Sequence, residues 1–316
     1  MAGRRHRTGL DLFSLLDMFP NEESAKDWFE NIWWSDGRTC GHCGSTNTNP
    51  RKNGKPMPYW CKSCRKYFSI KTGTVMQSSK IPMHKWAFAI YQFATGIKGT
   101  SSMKLHRDLD ITYKCTWHLS HRVREAWNSK ESKQLESRFT GETETDETFI
   151  GGKEKNKHSK KKLRAGRGTV GKAVVAGVKN RDTNKVNAKV LPGTASVVIE
   201  DFVTDNVEKE STVYTDDAKY YSGLKGLDFE HKSVKHSVGE YVNEMAHTNG
   251  MESFWALLKR GYIGTYHKMS PKHLDRFVNE FVGRHNIRRL DTVDQMVAIT
   301  LAMKGKRLKY NDLVSN

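Results

Sequence analysis

The segment HTNGMESFWALLKRG, residues 247–261, carries two different stripes of side chains along one predicted helix. Its apolar positions have the spacing of a buried helix face: Met251, Phe254, Trp255 and Leu258. Asn249, Glu252 and Lys259 fall at offsets of three and seven, and at about 100° per residue they share the neighbouring face. A core-anchored helix with a carboxylate and a lysine two turns apart indicates a functional site, whose other members must come from elsewhere in the chain.

Two aspartates precede this helix within a series of predicted strands. The alternation in ETETDETFIGG, residues 142–152, predicts a strand with Asp146 near its end, and STVYTDDAKYYSGL, residues 211–224, begins with a short buried strand that ends at Asp216. Other elements are predicted around them: strands at 172–180, 185–193 and 229–237, and a helix at 194–207 capped by Thr194. The order β-β-β-α-β-α-β-α matches a ribonuclease-H-like fold, a mixed five-stranded sheet flanked by helices.

Carboxylates at strand ends suit a site for two metal ions. Side chains at strand ends leave the packed sheet for solvent, so Asp146 and Asp216 can converge there. Such oxygen ligands hold Mg²⁺, and a pair of ions about 3.5–4 Å apart stabilises both the attacking and the leaving oxygen of a phosphoryl displacement.

Each acidic position also has a simpler interpretation. Asn249-x-x-Glu252 reads as a helix N-cap with a reciprocating residue, a variant of the capping box. Asp216 and Asp217 together are typical of a turn, since Asp commonly begins turns and helices. The choice of ligand within the first strand stays open on spacing alone among Glu144, Asp146 and Glu147.

Two cysteine pairs define a small metal-binding module. The motifs CGHC and CKSC have the spacing C-x2-C-x17-C-x2-C, typical of a four-cysteine zinc ribbon: Cys40, Cys43, Cys61 and Cys64. A closed four-thiolate site leaves no position for water, so we predict one structural Zn²⁺ that folds residues 37–70. The strands of its hairpin would be lined by Tyr59, Trp60, Tyr67 and Phe68. Cys115 stands alone and is expected to be a small buried residue.

Residues 78–136 predict three helices, of which the last is basic. A short second helix covers residues 101–109, and after the turn DIT the third helix covers residues 113–127. The outward side chains predicted for the third helix are Lys114, His118, His121, Arg122 and Arg124. A short helix, a turn and a longer basic helix is the helix-turn-helix arrangement, in which Lys114, Arg122 and Arg124 would contact DNA. A plain three-helix bundle fits the same pattern.

The charge of the chain indicates a polyanionic partner. The formal net charge of the 316 residues is +18, and nucleic acid is the partner that such a surplus favours. The most biased stretch, residues 153–167, has eight Lys or Arg against one Glu and predicts an exposed loop that could contact a phosphate backbone through Lys160, Lys161 and Lys162. No apolar run reaches the ~18 residues of a membrane span, and no secretion signal is recognisable, so a cytoplasmic location is expected.

The remaining segments are helical in pattern. Residues 8–34 predict two helices broken at Pro20, the second beginning at Asn21. Near the C-terminus, residues 270–287 and 291–303 have apolar positions at core spacing, and we expect both helices to pack against the sheet. The fold class is therefore α+β and multidomain, with these predicted parts: N-terminal helices (1–36), zinc ribbon (37–70), helical DNA-binding segment (78–136) and catalytic domain (140–305).

Several of these segments also resemble segments of one known protein family. TDETFIGGK (145–153), VYTDDAKYY (213–221) and the long stretch from His247 to Asn286 resemble the ISXO-type insertion-sequence transposases, which also carry an N-terminal zinc ribbon. Asp216 and Glu252 are separated by 35 residues, as in the D, D-35-E triad of transposases and retroviral integrases, and a basic residue follows. Members of that group often use asparagine as the third ligand, and here Asn249 stands one turn ahead of Glu252. We favour Glu252 as the third ligand, because a carboxylate binds Mg²⁺ better than an amide oxygen does.

The resemblance implies a DNA transposase with two Mg²⁺, or Mn²⁺ in their place. The zinc ribbon and the helices would recognise the terminal inverted repeats of a mobile element, and Lys259 and Arg260 would contact phosphate. Two catalysed steps are implied: phosphodiester hydrolysis at the element's end and strand transfer into target DNA, within a homo-oligomeric synaptic complex in the bacterial cytoplasm or nucleoid. Two alternatives remain from the sequence, a sequence-specific regulator with an inactive catalytic domain and a two-metal nuclease without joining activity.

Overall fold

The computed structural model describes residues 8–128, 138–152, 156, 158–163, 169–234 and 248–315. The chain divides into two compact units: Met1–Glu131 with Ile287–Asn316, here the N-terminal unit, and Ser132–Asn286, here the sheet unit. Within the described ranges, no helix has both the length and the apolar character needed to cross a membrane.

Two short helices begin the N-terminal unit, as predicted. Helix α1 (Leu12–Met18) starts at Asp11, whose carboxylate accepts the N–H groups of Phe13 and Ser14. Helix α2 (Glu22–Trp33) starts after Pro20 at Asn21, which forms a capping box with Ser24. The predicted break between the two helices is therefore confirmed.

A three-stranded antiparallel sheet follows, in the order β1 (Thr48–Pro50), β2 (Tyr59–Cys61) and β3 (Lys66–Phe68). Tyr59 lies opposite Phe68, and Trp60 lies opposite Tyr67. The predicted aromatic lining of the hairpin is confirmed. The turn of this hairpin carries the second cysteine pair, which brings it towards the first pair.

The described residues of the N-terminal unit form five further helices: α3 (Met83–Thr95), α4 (Ser102–Leu109), α5 (Tyr113–Glu125), α9 (Thr292–Ala302) and α10 (Tyr310–Val314). The three helices predicted from residues 83–127 are confirmed. The prediction that residues 291–303 pack against the catalytic sheet is wrong, because Met296 and Ile299 are buried in the same core as Phe29 and Trp86. Helical periodicity identifies a buried face but does not identify the surface that covers it.

The sheet unit contains one mixed five-stranded sheet, which confirms the predicted α+β class. Its strands are β4 (Glu142–Ile150), β5 (Ala173–Asn180), β6 (Val186–Leu191), β7 (Thr212–Asp216) and β8 (Glu230–Val234). The spatial order is β6-β5-β4-β7-β8, in which β6, β5 and β4 are antiparallel neighbours and β7 and β8 continue parallel to β4. The first strand of the unit is therefore central, and β7 lies directly beside it.

Helices cover both faces of this sheet. On one face lie α7 (Asn249–Gly261), followed by a π-helical turn (Tyr262–Tyr266), and α8 (Leu274–Ile287), whose packing on the sheet was predicted. On the other face lie α6 (Ser196–Asn206) and a 3-10 helix (Lys219–Gly226), which takes the place of the helix predicted between the last two strands. The predicted cap of α6 is wrong by one residue, because the helix begins after Ala195 and Thr194 makes no capping bond.

Candidate active site

The strand register brings two distant aspartates together. In the parallel pair β4–β7, Glu142 lies opposite Thr212 and Glu144 lies opposite Tyr214. The same register two residues further along brings Asp146 level with Asp216, the last residue of β7. One carboxylate oxygen each from Asp146, Glu147 and Asp216 lies within 4.8 Å of the others. Residues 70 positions apart in the sequence therefore form one acidic cluster.

The location of Asp146 differs from the prediction. Asp146 lies in the middle of β4 and not near its end, because the antiparallel pairing with β5 continues to Ile150. The pairing of β4 with β7 stops at Glu144, so Asp146 lies two residues beyond the last paired residue on that side. Asp216 does end its strand as predicted, and its carboxylate accepts the N–H of Ala218 at 3.1 Å, so the turn interpretation and the ligand interpretation are compatible.

Glu147 is the third member of the cluster. The hydroxyl groups of Tyr220 and Tyr221, both in the 3-10 helix after β7, donate to its two carboxylate oxygens. Burial, followed by the neighbouring carboxylates, raises the pKa of Tyr221, so this hydroxyl stays protonated and donates. The sequence left the choice among the acids of this strand open, and the structure holds Glu147 beside Asp146 through two tyrosines.

The acidic cluster perturbs the ionisation of Asp146. The pKa of Asp146 is raised to about 7, mainly by burial and then by the charges of Glu147 and Asp216. The hydrogen bond from the backbone N–H of Glu147 acts in the opposite direction and lowers this pKa. The charge of Glu252 adds to the upward shift. Carboxylates gathered in this way repel one another unless a cation or a proton offsets their charge. The donor set of carboxylate oxygens therefore fits Mg²⁺ or a similar hard cation.

Glu144 fixes the first turn of α7 against the sheet. Its side chain is 3% exposed and accepts the backbone N–H of Met251, an otherwise unpaired helix N-terminal donor, at 3.0 Å. Arg181 donates to the same carboxylate at 3.1 Å. A Cβ on Gly250 would lie 2.6 Å from a carboxylate oxygen of Glu144, so glycine permits this close approach. The sequence offered Glu144 only as an alternative ligand, and its contacts make it a positioning residue.

Helix α7 packs directly over the strand beside Asp146. Gly177 of β5 lies opposite Asp146, and a Cβ at Gly177 would lie 2.4 Å from Met251 and 2.8 Å from the Trp255 ring. This close packing holds the apolar stripe of α7 on the sheet. Glu252 stands exposed in the first turn of the helix, near enough to Asp146 to affect its pKa.

The polar face of α7 keeps its predicted order. The N-cap of α7 is Thr248, without a side-chain capping bond, so the capping-box interpretation of Asn249 and Glu252 is wrong. Asn249 is the exposed first residue of the helix, and Lys259 and Arg260 are exposed in its last turn.

The four paired cysteines gather into one cluster in the N-terminal unit. The distance from Cys40 Sγ to Cys64 Sγ is 3.7 Å, and the distance from Cys43 Sγ to Cys61 Sγ is also 3.7 Å. Four sulfurs bound tetrahedrally at about 2.3 Å from one zinc ion would lie about 3.8 Å apart, whereas a disulfide requires about 2.05 Å. The backbone N–H of Cys64 lowers the pKa of Cys61 to about 7, whereas burial raises the pKa of Cys40 and of Cys64. The cluster fits a closed zinc site.

The lone cysteine does not match its prediction. Cys115 is exposed at the start of α5, so the expectation of a buried small residue is wrong. It lies three residues after the N-cap Thr112, whose side chain accepts the backbone N–H of Cys115, so it belongs to the first turn of the helix.

The basic face predicted for α5 is largely covered. Arg124 is 2% exposed with its guanidinium 5.4 Å from the centre of the Phe93 ring, and His121 is 1% exposed, so their predicted outward orientation is wrong. Arg122 is half-buried and donates to the carbonyls of Leu308 and Gln77. Of the three residues predicted to contact DNA from this helix, Lys114 alone is exposed. At His118 and Arg122 this face is covered by Leu308, near the end of the chain.

The lysine run of the predicted loop lies partly outside the described residues. Ser159–Lys161 forms a single 3-10 turn, and the side chains of Lys160 and Lys162 are exposed, as a phosphate-contacting loop would require. Residues 153–155, 157 and 164–168 lie outside the described residues, and so does His247, the first residue of the segment 247–261.

Comparison with known proteins relates the sheet unit to transposases. Residues 138–286 match the family model of the ISXO2-like transposase domain. An uncharacterized protein in transposable element ISH50 of Halobacterium salinarum is 26% identical over 281 residues, which cover 86% of this chain and 93% of that protein. An uncharacterized transposase-like protein of Haemophilus influenzae is 26% identical over 102 residues, covering 32% of this chain and 81% of that protein. The resemblance to insertion-sequence transposases is confirmed.

Proposed function

We propose that this chain is a DNA transposase whose sheet unit is a ribonuclease-H-like catalytic domain. The observation that carries the proposal is the parallel β4–β7 register, which brings Asp146 and Asp216 into one cluster beside the first turn of α7. The strand order, with β4 central and β7 its parallel neighbour, supports the same fold.

The acidic cluster would hold the metal ions. Asp146, Asp216 and Glu252 are the proposed ligands of two Mg²⁺, or of Mn²⁺ in their place, with Asn249 assisting and Glu147 as a further oxygen donor. When bound, such ions stabilise the charge that develops on the attacking and leaving oxygens of a phosphodiester. The acidic cluster alone would repel a DNA phosphate, which explains why the site needs cations before it can accept its substrate.

The residues of the chain position this chemistry. Glu144 anchors the first turn of α7, which would allow Glu252 to reach a metal ion held by the aspartates, and the two tyrosines orient Glu147. Lys259 lies two turns along the same helix face from Glu252 and would contact a DNA phosphate. In the proposed reaction, water breaks a phosphodiester at the element's end and leaves a 3′-hydroxyl. That hydroxyl then attacks a target phosphodiester in line: a new ester bond joins the element's end to the target phosphorus, and the target strand's own 3′-oxygen leaves as a hydroxyl, without a covalent protein intermediate.

The N-terminal unit would recognise the ends of the mobile element. We infer that the zinc ribbon and helices α3 to α5 bind the terminal inverted repeats, in keeping with the charge of +18. Joining two ends to one target requires two copies of the site, so a dimer or a larger synaptic complex is proposed.

A strand-transfer assay with labelled end DNA tests this function. Asp146→Asn and Asp216→Asn should each abolish joining, at least a 10³-fold loss, while end binding persists. Asp217→Asn is the matched control, because Asp217 is the exposed neighbour of Asp216 and lies outside the cluster. Joined products support a transposase, cleavage without joining supports a nuclease, and binding without cleavage supports a regulator. Joining at the wild-type rate by either cluster variant would contradict the site assignment.

A second pair of variants separates the candidates for the third ligand. Glu252→Gln should abolish Mg²⁺-dependent joining if the carboxylate is the ligand, and Asn249→Ala should then lower it by only about tenfold. The reverse ranking would assign the ligand to Asn249, as the resemblance allows.

A further inference from the structure

The last residues of the chain cover the helix that was predicted to read DNA. Residues 306–310, here the C-terminal strap, run along α5 in the opposite direction. Lys306 donates to the carbonyl of Ala126 after the end of α5, and Tyr310 contacts Lys114 and Trp117 near its start. The strap therefore occupies the face of α5 where a helix-turn-helix protein would meet the groove.

The strap has an alternating pattern of burial. Lys306, Leu308 and Tyr310 face α5, and the Leu308 carbonyl accepts hydrogen bonds from His118 and Arg122 at 3.2 and 3.3 Å. The residues between them, Arg307 and Lys309, are exposed. An extended segment presents alternate side chains to opposite sides, so both outward side chains of the strap are cationic.

These two cations have no carboxylate partner among the described residues. Neither Arg307 nor Lys309 forms a salt bridge in the described part of the chain, and Asp312, the one acid of the last 13 residues, accepts the backbone N–H of Lys309. The exposed ammonium of Lys114 lies 4.6 Å from the centre of the Tyr310 ring, beside the strap. Burial is the main cause that lowers the pKa of Arg122, and the positive charge of Arg307 lowers it further. The strap thus concentrates positive charge that an anion would stabilise.

We propose that Arg307 and Lys309 of the C-terminal strap, together with Lys114, contact the DNA phosphate backbone in place of Arg122 and Arg124. The proposal rests on the proposed DNA-binding function of the N-terminal unit and assigns its charged contact to residues at the other end of the chain. Arg122 and Arg124 have a structural role instead: they hold the strap and the core of the unit. Phosphate contacts fix position and affinity without reading sequence, so the strap should act on any duplex.

Fluorescence anisotropy with the full-length protein and a labelled 30-base-pair duplex of mixed sequence tests the strap. Arg307→Ala with Lys309→Ala should weaken binding by about 10- to 30-fold near 0.1 M salt, and should reduce the slope of log affinity against log salt by about 2. The charge-preserving swap, Arg307→Lys with Lys309→Arg, should bind within about threefold of the wild type. Both side chains are exposed, so the thermal unfolding midpoint should not change.

The control removes two exposed lysines from the sheet unit. Lys185→Ala with Lys189→Ala deletes the same amount of charge far from α5 in sequence and should change both affinity and slope by less than the strap variant does. Equal losses in the two double variants would indicate a general charge effect and would overturn the assignment to the strap. Wild-type affinity and slope in the strap variant would also overturn the assignment to the strap. The proposed DNA-binding function would then still stand. A wild-type protein that binds no duplex would overturn the proposed function itself, and the strap contact with it.

Discussion

Replacing Asp146 with Asn tests the acidic cluster through stability instead of activity. The pKa of Asp146 is raised from 3.8 to about 7 by burial and by the charges of Glu147 and Asp216. Between these two values the native state binds more protons than the unfolded state, so the free energy of unfolding falls as the pH rises from about 4 to about 7. A shift of about three pKa units corresponds to at most about 4 kcal/mol, and partial exposure of the cluster to solvent reduces it to about 2 kcal/mol.

The Asp146→Asn variant removes this charge but keeps the acceptor oxygen for the N–H of Glu147. At pH 8 and without divalent cations, the sheet unit of the variant should be about 2 kcal/mol more stable than that of the wild type. For a unit of this size, that difference raises the unfolding midpoint by about 4–8 °C. The variant would be both inactive and more stable, because the charge proposed to bind metal ions destabilises the protein when no cation is present.

Scanning calorimetry in magnesium-free buffer from pH 5 to pH 8 measures the effect. The wild-type midpoint for the sheet unit should fall across this range and recover when about 5 mM Mg²⁺ is added at pH 8, whereas the variant should respond weakly to both changes. Asp217→Asn is the control, since this exposed carboxylate is outside the cluster. A wild-type midpoint that does not depend on pH, or a variant no more stable than the wild type at pH 8, would refute the reasoning.

Three further predictions concern packing and the zinc module. Gly177→Ala should lower stability by about 1–3 kcal/mol and reduce joining, measured by urea unfolding and strand transfer, because its Cβ would push Trp255 and α7 away from the acidic cluster. Cys61→Ser should reduce bound zinc from one per chain towards none, measured by elemental analysis, and should lower the unfolding midpoint of the N-terminal unit while that of the sheet unit is unchanged. Ile299→Ala should destabilise the same N-terminal unit by about 2–5 kcal/mol, since Ile299 is buried in its core, and calorimetry that locates the loss in the sheet unit would contradict this assignment.

Sequence patterns predicted most of the secondary structure because local physics determines it. Pro20 and Asn21 set the boundary between the first two helices, and the end of β7 at Asp216 follows from a short apolar run closed by acidic residues. The full length of β4 was not predicted, because its continuation past Asp146 depends on pairing with β5. Pairing partners distant in the chain leave no signal in a local alternation pattern.

The candidate site was predicted in part, for the same reason. Carboxylates spaced along the chain indicated Asp146, Asp216 and Glu252, and the family resemblance supplied their grouping. The support for these residues was not predictable: Glu144 reads as one more acid in an acidic strand until its bond to the N-terminus of α7 is seen. Likewise, the basic pattern of α5 predicted an exposed face, and a segment almost 200 residues later in the chain covers it.

The cysteine cluster and the acidic cluster differ in how completely they could surround a cation. In the N-terminal unit, four thiols surround one centre and can satisfy a zinc ion completely, so the ion would serve folding alone. In the sheet unit, the three clustered carboxylates come from the centre of one strand and the end of another. Glu252 is exposed in the first turn of a helix. Cations held by these groups would keep free coordination positions for phosphate oxygens. Without a cation the carboxylates of such a site repel one another, and burial together with the charges of Glu147 and Asp216 raises the pKa of Asp146. The sheet unit must therefore obtain its rigidity from elsewhere, through Glu144, Gly177 and the apolar stripe of α7, which hold the carboxylates together before any ion binds.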